Sequence, residues 1–168
     1  MNTQINTADI AQQRRHDRRL LEEWEHDTYK SKRKLSEPTV CPQCTAVYHK
    51  GRWQWGDTPD GAEHETCPAC QRMQDKVPAG FLTLSGDFFA EHREEIIRAI
   101  RNLEENENAE HPLKRIMNIE NQAEGVLITF TDPHLARGAG EVVQHAYKGQ
   151  LDFTYQAEER LLRVTWTR

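Results

Sequence analysis

The sequence predicts an α+β protein in three parts, and three observations support this prediction. Residues 1–38 are polar, residues 39–78 contain all four cysteines, and residues 79–168 alternate between helix-like and strand-like patterns of apolar residues. The chain has 168 residues, which is enough for one ordinary domain or two small ones. We therefore expect an N-terminal arm, a small cysteine module and a separate α+β domain.

The first part, residues 1–38, is predicted to be a basic arm that is flexible or helical. Its sparse apolar stripe does not define a core face, and consists of Ile10, Leu20, Leu21 and Trp24. Residues 14–34 contain eight Lys or Arg against five acidic residues, although the net charge of the chain is −5. A polyanion would therefore meet this arm first. A solvated tail without a partner explains the same composition equally well.

Residues 79–168 are predicted to form a ferredoxin-like domain with the element order βαββαβ and one additional strand. Asp87 is expected to cap the first helix, and Asp132-Pro133 to begin the second. The predicted elements are a strand at Phe81–Leu84, a helix from Asp87 to about Glu105, a loop at Asn106–Pro112, strands at about 114–120 and 125–131, a helix that ends at Gly149, and strands at about 151–156 and 160–167.

Two helices with one apolar face each should cover this sheet. The first helix repeats apolar residues at helical spacing, namely Phe89, Ile96, Ile97, Ile100 and Leu103. The second does the same with Leu135, Ala139, Val142, Val143 and Ala146. In the strands, apolar residues alternate with polar ones, so that Leu162, Val164 and Trp166 share one face.

The cysteine module, residues 39–78, contains the strongest signal in the chain. Cys41 and Cys44 form one CPxC pair, and Cys67 and Cys70 form a second one 22 residues later. Each pair suits a tight knuckle that points two sulfurs at one ion, and two knuckles supply a closed tetrahedral site. The sequence therefore predicts a zinc ribbon with one structural Zn²⁺, in which no position is open for a catalytic water.

Other roles for the four cysteines are weaker. An iron–sulfur cluster also uses four cysteines, but paired knuckles favour zinc or a single rubredoxin-like iron. A thiol–disulfide motif usually needs one CxxC at a helix start. A secreted disulfide framework would be accompanied by an export signal. His49 and His64 lie near the cysteines in sequence and are expected at the surface.

Between the knuckles, Gly51 suits a hairpin turn flanked by aromatic and basic side chains. Aromatic faces stack on unpaired bases, while Lys and Arg contact phosphates. With the basic run of the arm, the candidate RNA contacts are Tyr48, Lys50, Arg52, Trp53, Trp55, Lys30, Lys32, Arg33 and Lys34. A ribbon has almost no core, so at least one of the two tryptophans is expected to cover the knuckles instead.

Several motifs together resemble a known family. They are CPxC…GRWxW…CPxC, Gly80-Phe81-Leu82-x-Leu84-x-Gly86, His111-Pro112-Leu113 and Thr131-Asp132-Pro133-His134-Leu135-Ala136-Arg137. Over roughly residues 40–167 they resemble small bacterial zinc-ribbon proteins related to the adaptor for nuclear export of the large ribosomal subunit. The resemblance implies binding to ribosomes or ribosomal RNA without catalysis. Because these 168 residues lack the adaptor's export signals and later domains, export itself is not implied.

The leading functional hypothesis is a non-catalytic zinc-ribbon protein that binds the ribosome or structured RNA. The alternative is a zinc-ribbon adaptor for another protein. A third hypothesis is an enzyme that binds a phosphorylated ligand at the helix start Asp132–Arg137. An ordinary capped helix, in which Gly138 and Gly140 permit close packing, explains that segment more simply.

A cytoplasmic protein without membrane contact is expected. No apolar run approaches the roughly 20 residues that span a bilayer, and the first residues lack the apolar stretch of a secretory signal.

Overall fold

The computed structural model describes residues 34–156 and 161–168, together with Tyr29. The described residues from 34 onward belong to one compact unit. The predictions for residues 1–33 of the arm, including those for Lys30, Lys32 and Arg33, lie outside the described residues, apart from Tyr29. In the part of the chain that the structure describes, no helix has the length and apolar character needed to cross a bilayer.

The cysteine module contains a small sheet followed by a short helix. Its strands are β1 (Thr39–Val40), β2 (Val47–His49), β3 (Arg52–Gln54) and β4 (Glu63–His64), and the helix is α1 (Pro68–Asp75). The order across the sheet is β3-β2-β1-β4, with β1 and β4 parallel and the other neighbours antiparallel. Helix α1 was not predicted, because its eight residues are fewer than the roughly 11–18 over which helical spacing can be recognised.

The predicted turn at Gly51 is confirmed. Lys50 and Gly51 connect β2 to β3, and both have positive φ angles, 51° and 76°. Two consecutive left-handed residues are the signature of a type I′ turn, which matches the twist of a two-residue hairpin.

The second part is a five-stranded sheet with two helices. Its elements are β5 (Gly80–Ser85), α2 (Asp87–Glu110), β6 (Ile116–Gln122), β7 (Gly125–Phe130), α3 (Pro133–Tyr147), β8 (Gln150–Gln156) and β9 (Leu161–Thr167). The strand order is β6-β7-β5-β9-β8, in which only β5 and β9 are parallel neighbours. The predicted α+β class is therefore confirmed. The final β8–β9 hairpin places β9 beside the central strand β5.

The core lies between the helices and one face of this sheet. The predicted alternation holds, because Val126, Ile128 and Phe130 of β7 are buried while the residues between them are half-buried. The fully buried side chains from the other elements include Leu82, Leu84, Ile96, Ile100, Val143, Val164 and Trp166. The indole N–H of Trp166 donates to the Lys148 carbonyl at 2.6 Å, which satisfies its one buried polar group.

Two predictions about α2 are wrong. The helix continues to Glu110, so most of the predicted loop at Asn106–Pro112 is helical. The extra turn is polar and is held by contacts that sequence does not reveal, since the Asn108 side chain donates to the carbonyls of Pro112 and Lys114.

At the other end of α2, Gly86 is the N-cap, and Asp87 is already the first helical residue. Gly86 has a φ of 103°, and a Cβ there would lie 2.3 Å from the Arg168 carbonyl oxygen. Only glycine allows this approach, so the cap is set by a close contact between distant segments and not by the carboxylate of Asp87.

The two helical glycines of α3 behave differently. A Cβ on Gly140 would lie 2.6 Å from Cγ1 of the buried Val164, whereas one on Gly138 would meet Leu103 at an ordinary 3.6 Å. Gly140 therefore lets α3 pack closely on the sheet, as predicted, and Gly138 does not limit that packing.

We expect Gly140→Ala to lower the free energy of unfolding by about 1–2 kcal/mol, because overpacking outweighs the gain in helix propensity. The matched change Gly138→Ala should be neutral or stabilising by up to about 1 kcal/mol. Urea unfolding of both variants at neutral pH checks this. Equal effects of the two substitutions would contradict the packing argument.

Candidate metal centre

The four cysteines converge on one point. Their Sγ atoms all lie within 4.8 Å of one another, and the sulfurs of Cys44 and Cys67 are 3.8 Å apart. Metal–sulfur bonds of about 2.3 Å in a tetrahedron place the sulfurs about 3.8 Å from each other. All four thiols are free of disulfides. The donor set therefore fits a single tetrahedral metal ion, and Cys41, Cys44, Cys67 and Cys70 would hold it.

The first knuckle follows β1 directly. The N–H of Thr45 donates to the Cys41 carbonyl at 2.9 Å, and the N–H of Cys41 donates to the Ala46 carbonyl at 2.8 Å. Thr45 has a φ of 66°, which turns the chain back toward β2. This tight turn places Cys41 and Cys44 on the same side of the backbone.

The second knuckle is the start of α1. Cys67 is the N-cap, and its sulfur accepts the N–H of Cys70 at 3.4 Å, while Pro68 fills the first turn. The positive end of a helix favours a thiolate there. The sulfur of Cys41 also accepts the N–H of Cys67 at 3.3 Å, which links the two knuckles.

Burial raises the pKa values of these thiols, and hydrogen bonds to their sulfurs lower them. Burial raises the pKa of Cys67 well above its usual range, and raises the pKa of Cys70 despite the hydrogen bond from Arg115. For Cys41, burial is outweighed by hydrogen bonds from the backbone N–H groups of Cys67, Cys44 and Gln43, and the pKa falls to about 7. A metal ion would offset the burial of four sulfurs by holding them as thiolates.

Arg115 is a member of the site that sequence analysis missed. It lies just before β6, and its Nη1 donates to the sulfur of Cys70 at 3.3 Å, with Nη2 3.9 Å from the sulfur of Cys67. The sulfurs of Cys44 and Cys70 outweigh burial and raise the pKa of the guanidinium. No spacing or motif connects an arginine to cysteines 45 residues away, so only the fold identifies it.

Apolar side chains surround the sulfurs. Ala69 is buried among the cysteines, and Trp53 and Leu113 pack against the cluster while remaining partly exposed. The expectation that one tryptophan covers the knuckles is met by Trp53. His49 and His64 are exposed, as predicted, and neither belongs to the sulfur cluster.

The remaining candidates on the β2–β3 hairpin lie at its surface. Lys50, Arg52 and Trp55 are exposed, and Tyr48 is half-buried with its ring edge-on to Trp53 at 5.5 Å. The N–H of the Trp55 indole donates to the carbonyl of Asn108 in α2.

The turn of this hairpin is hydrogen-bonded to a residue that precedes β1. The backbone N–H groups of Lys50 and Gly51 donate to the Glu37 carboxylate, at 2.9 and 3.1 Å. Lys34 is exposed three residues earlier. Glu37 thus connects the segment that follows Lys34 to the hairpin turn.

The helix start at Asp132 forms an ordinary capped helix. The Asp132 carboxylate accepts the N–H of Leu135 at 3.0 Å, so a negative group already occupies the helix N-terminus. Arg137 bonds Glu141 at 2.9 Å and lies over the Phe153 ring, and His134 is exposed. These contacts account for the segment without a phosphate.

No protein-family model, curated protein or solved structure matches this chain. The resemblance to the zinc-ribbon export adaptor family therefore stays a prediction. What the site itself establishes is a cluster of four cysteines suited to a metal ion.

We expect the purified protein to contain about one metal ion per chain, because the four converging sulfurs match the ligand set and spacing of a tetrahedral metal site. Cys67→Ser should remove most of that metal and lower the thermal midpoint, since structural metal binding contributes directly to folding free energy. Elemental analysis and thermal unfolding measure both.

The control is His64→Ala, which should retain the metal, since this side chain is exposed. A metal-free wild-type protein that unfolds at the same temperature as the Cys67→Ser variant would contradict the assignment.

Proposed function

We propose that this chain is a non-catalytic zinc-ribbon protein that binds structured RNA, on the ribosome, through its β2–β3 hairpin and the adjoining basic run. The observation that carries this proposal is the contact of Glu37 with the hairpin turn. Glu37 lies three residues after Lys34, which is at most about 11 Å of chain, and it contacts the hairpin turn. This contact supports a proposed surface that combines Lys34 with the hairpin.

Zinc is the proposed ion, with a structural role. A four-cysteine tetrahedral set is characteristic of structural zinc, and a site filled by four protein ligands has no open position for chemistry. The ion would fix the knuckles, and the knuckles would fix β2 and β3. Because reduced thiols are required, we propose a cytoplasmic location.

The proposed contacts divide by exposure. Lys50 and Arg52 are exposed and suit phosphates. The Trp55 side chain is 39% exposed, and its bond to Asn108 holds the indole in place, which suits stacking on an unpaired base. Trp53 is assigned to the ribbon core instead, because it packs on the cysteines.

The test is the binding of ribosomal RNA to the metal-loaded full chain. Fluorescence polarisation measures the affinity at a series of salt concentrations. The double variant Lys50→Glu/Arg52→Glu should weaken binding about tenfold or more. The slope of log affinity against log salt concentration should also fall, by the amount expected for the loss of about two phosphate contacts.

The matched control is Arg98→Glu/Arg101→Glu, which makes the same charge change on exposed residues of α2. It should have a much smaller effect. If the wild-type chain binds no ribosomal RNA at low salt, or if both double variants weaken binding equally, the proposal fails.

A second candidate function, docking on another protein, is favoured by a different surface. Met73 and Val77 are 40% and 41% exposed, which is unusual for apolar residues of this size. Met73 lines a groove of about 410 Å³ with Met117 of β6. The ribbon, residues 39–78, also contains five acidic residues against four basic ones, so its bulk charge does not favour a polyanion.

Affinity capture from cells, with and without nuclease, separates the two functions. Under the RNA proposal, co-purifying ribosomal proteins should disappear after RNA digestion. A partner that survives digestion and is lost in Met73→Asp would instead favour protein docking through the groove, while Arg98→Asp should retain it.

We also propose a relationship of the β5–β9 sheet to the ferredoxin-like fold. Strands β6, β7 and β5 and the two helices follow the order of interleaved βαβ units. Strand β9 differs from that arrangement, because it is an additional strand that lies between β5 and β8 and pairs with β5 in parallel.

A further inference from the structure

Residues 108–115, which we term the clamp, connect the α+β part to the ribbon around the cysteines. Three of its residues reach the ribbon. The Asn108 carbonyl accepts the Trp55 indole N–H, Leu113 packs against the cysteine cluster, and Arg115 donates to the sulfur of Cys70. Two of the three contacts are made at the metal centre itself.

The clamp is firmly attached to the α+β part. The N–H of Arg115 donates to Oγ1 of Thr131 at 2.9 Å, and that hydroxyl donates to the Leu113 carbonyl at 2.6 Å. Arg115 Nε donates to the carbonyl of Pro112, which is fully buried, at 2.8 Å. These bonds, all made within the α+β part, hold the guanidinium in one orientation.

We propose that Arg115 is a positioning residue that makes the placement of the ribbon on the α+β part depend on the bound metal. This inference goes beyond the proposed RNA binding and does not rest on it. It concerns what a metal ion in the ribbon does for the rest of the molecule.

Electrostatics supports the proposal. Four thiolates and one divalent ion carry a net charge of −2 in a largely buried site. Among the described residues, the hydrogen bonds of the Arg115 side chain go to a carbonyl and two sulfurs, and to no carboxylate. A partly buried guanidinium needs an anionic partner to offset its loss of hydration. The metal-bound thiolates are that partner.

The coupling is reciprocal. If the bound metal favours docking of the ribbon on Arg115, then docking on Arg115 must raise the affinity for the metal by the same factor. Without the metal, the sulfurs lose the ion that holds them together as thiolates, and the clamp loses both of its contacts at the metal centre. A metal-free chain should therefore retain the larger sheet while its ribbon departs from the clamp.

The first measurement is the metal affinity of the full chain, by competition with a chromophoric chelator. Arg115→Met should weaken zinc binding about 10–100-fold, the usual effect of removing a group that supports metal ligands. Arg115→Lys supplies the charge without the planar fork, so its affinity should fall between those of Arg115→Met and wild type.

The matched control is Arg163→Met. Arg163 is also half-buried, but it lies over the Phe81 ring at 4.4 Å and bonds Gln156, so it makes no contact with a cysteine. Its loss should leave the metal affinity within about twofold of wild type.

The second measurement reports on the sulfur directly. With Co²⁺ in the site, the sulfur-to-metal charge-transfer band should move to lower energy in Arg115→Met, because a hydrogen bond to thiolate lowers the energy of its lone pairs. Arg163→Met should not move the band. A residue that only supports the fold would not change this spectrum while the ligands stay the same.

The third measurement is amide hydrogen exchange with and without a chelator. Metal removal should increase exchange in residues 108–116 and in the ribbon, with little change in β5 and β7. In Arg115→Met, the clamp should exchange faster even with metal bound.

The proposal is overturned if Arg115→Met binds zinc as tightly as wild type with an unchanged Co²⁺ spectrum, or if the wild-type chain binds no metal. Should Arg115→Met fail to fold, Arg115→Lys carries the same test, and an affinity and spectrum equal to wild type would again overturn it. None of these measurements involves RNA, so the proposal for Arg115 can be confirmed or overturned whether or not the chain binds RNA.

Discussion

The convergence of four cysteine sulfurs is the constraint on which the ribbon depends. Its strands have only two or three residues each, and such short pairings are not stable alone. The buried apolar residues of the module are few and small, namely Val40, Ala46, Val47 and Ala69 beside the cysteines. A metal ion held by Cys41, Cys44, Cys67 and Cys70 would supply the stabilisation that this core cannot. The hairpin and helix α1 both begin at a knuckle, so their positions follow from the sulfur geometry.

The same centre joins the ribbon to the larger sheet. Arg115 approaches the sulfurs with its charge, and Leu113 with its apolar side chain, while Trp55 extends from the ribbon to Asn108. Because a partly buried guanidinium is unfavourable without partners, its contact with the sulfurs gives the interface a preferred geometry. The described residues of the ribbon and of the α+β part accordingly belong to one compact unit.

This arrangement separates structural from surface roles among similar side chains. Trp53 and Trp55 are two residues apart on one hairpin, yet Trp53 packs on the cysteines while Trp55 is exposed and bonded to α2. The Glu37 carboxylate accepts from the backbone of the turn at Lys50 and Gly51, and the Lys50 side chain stays exposed. The proposed RNA surface is thus small and basic on a chain that is acidic as a whole. Its specificity would come from shape and stacking more than from bulk charge.

The sequence by itself determined the features that follow from local spacing. The CPxC pairs identified the ligands, period-two alternation identified β7, and Gly51 identified the hairpin turn, because each depends on residues close together in the chain. The tertiary structure alone decided the role of Arg115, the last turn of α2, the Gly86 cap and the place of β9 beside β5. Three of these are set by a partner far away in sequence, namely Cys70, the Arg168 carbonyl and the backbone of β5. The last turn of α2 is instead held by the carbonyls of Pro112 and Lys114, which follow Asn108 closely in the chain. Local periodicity carries no record of such partners, since hydrogen bonds and close approaches between distant segments arise only when the chain folds.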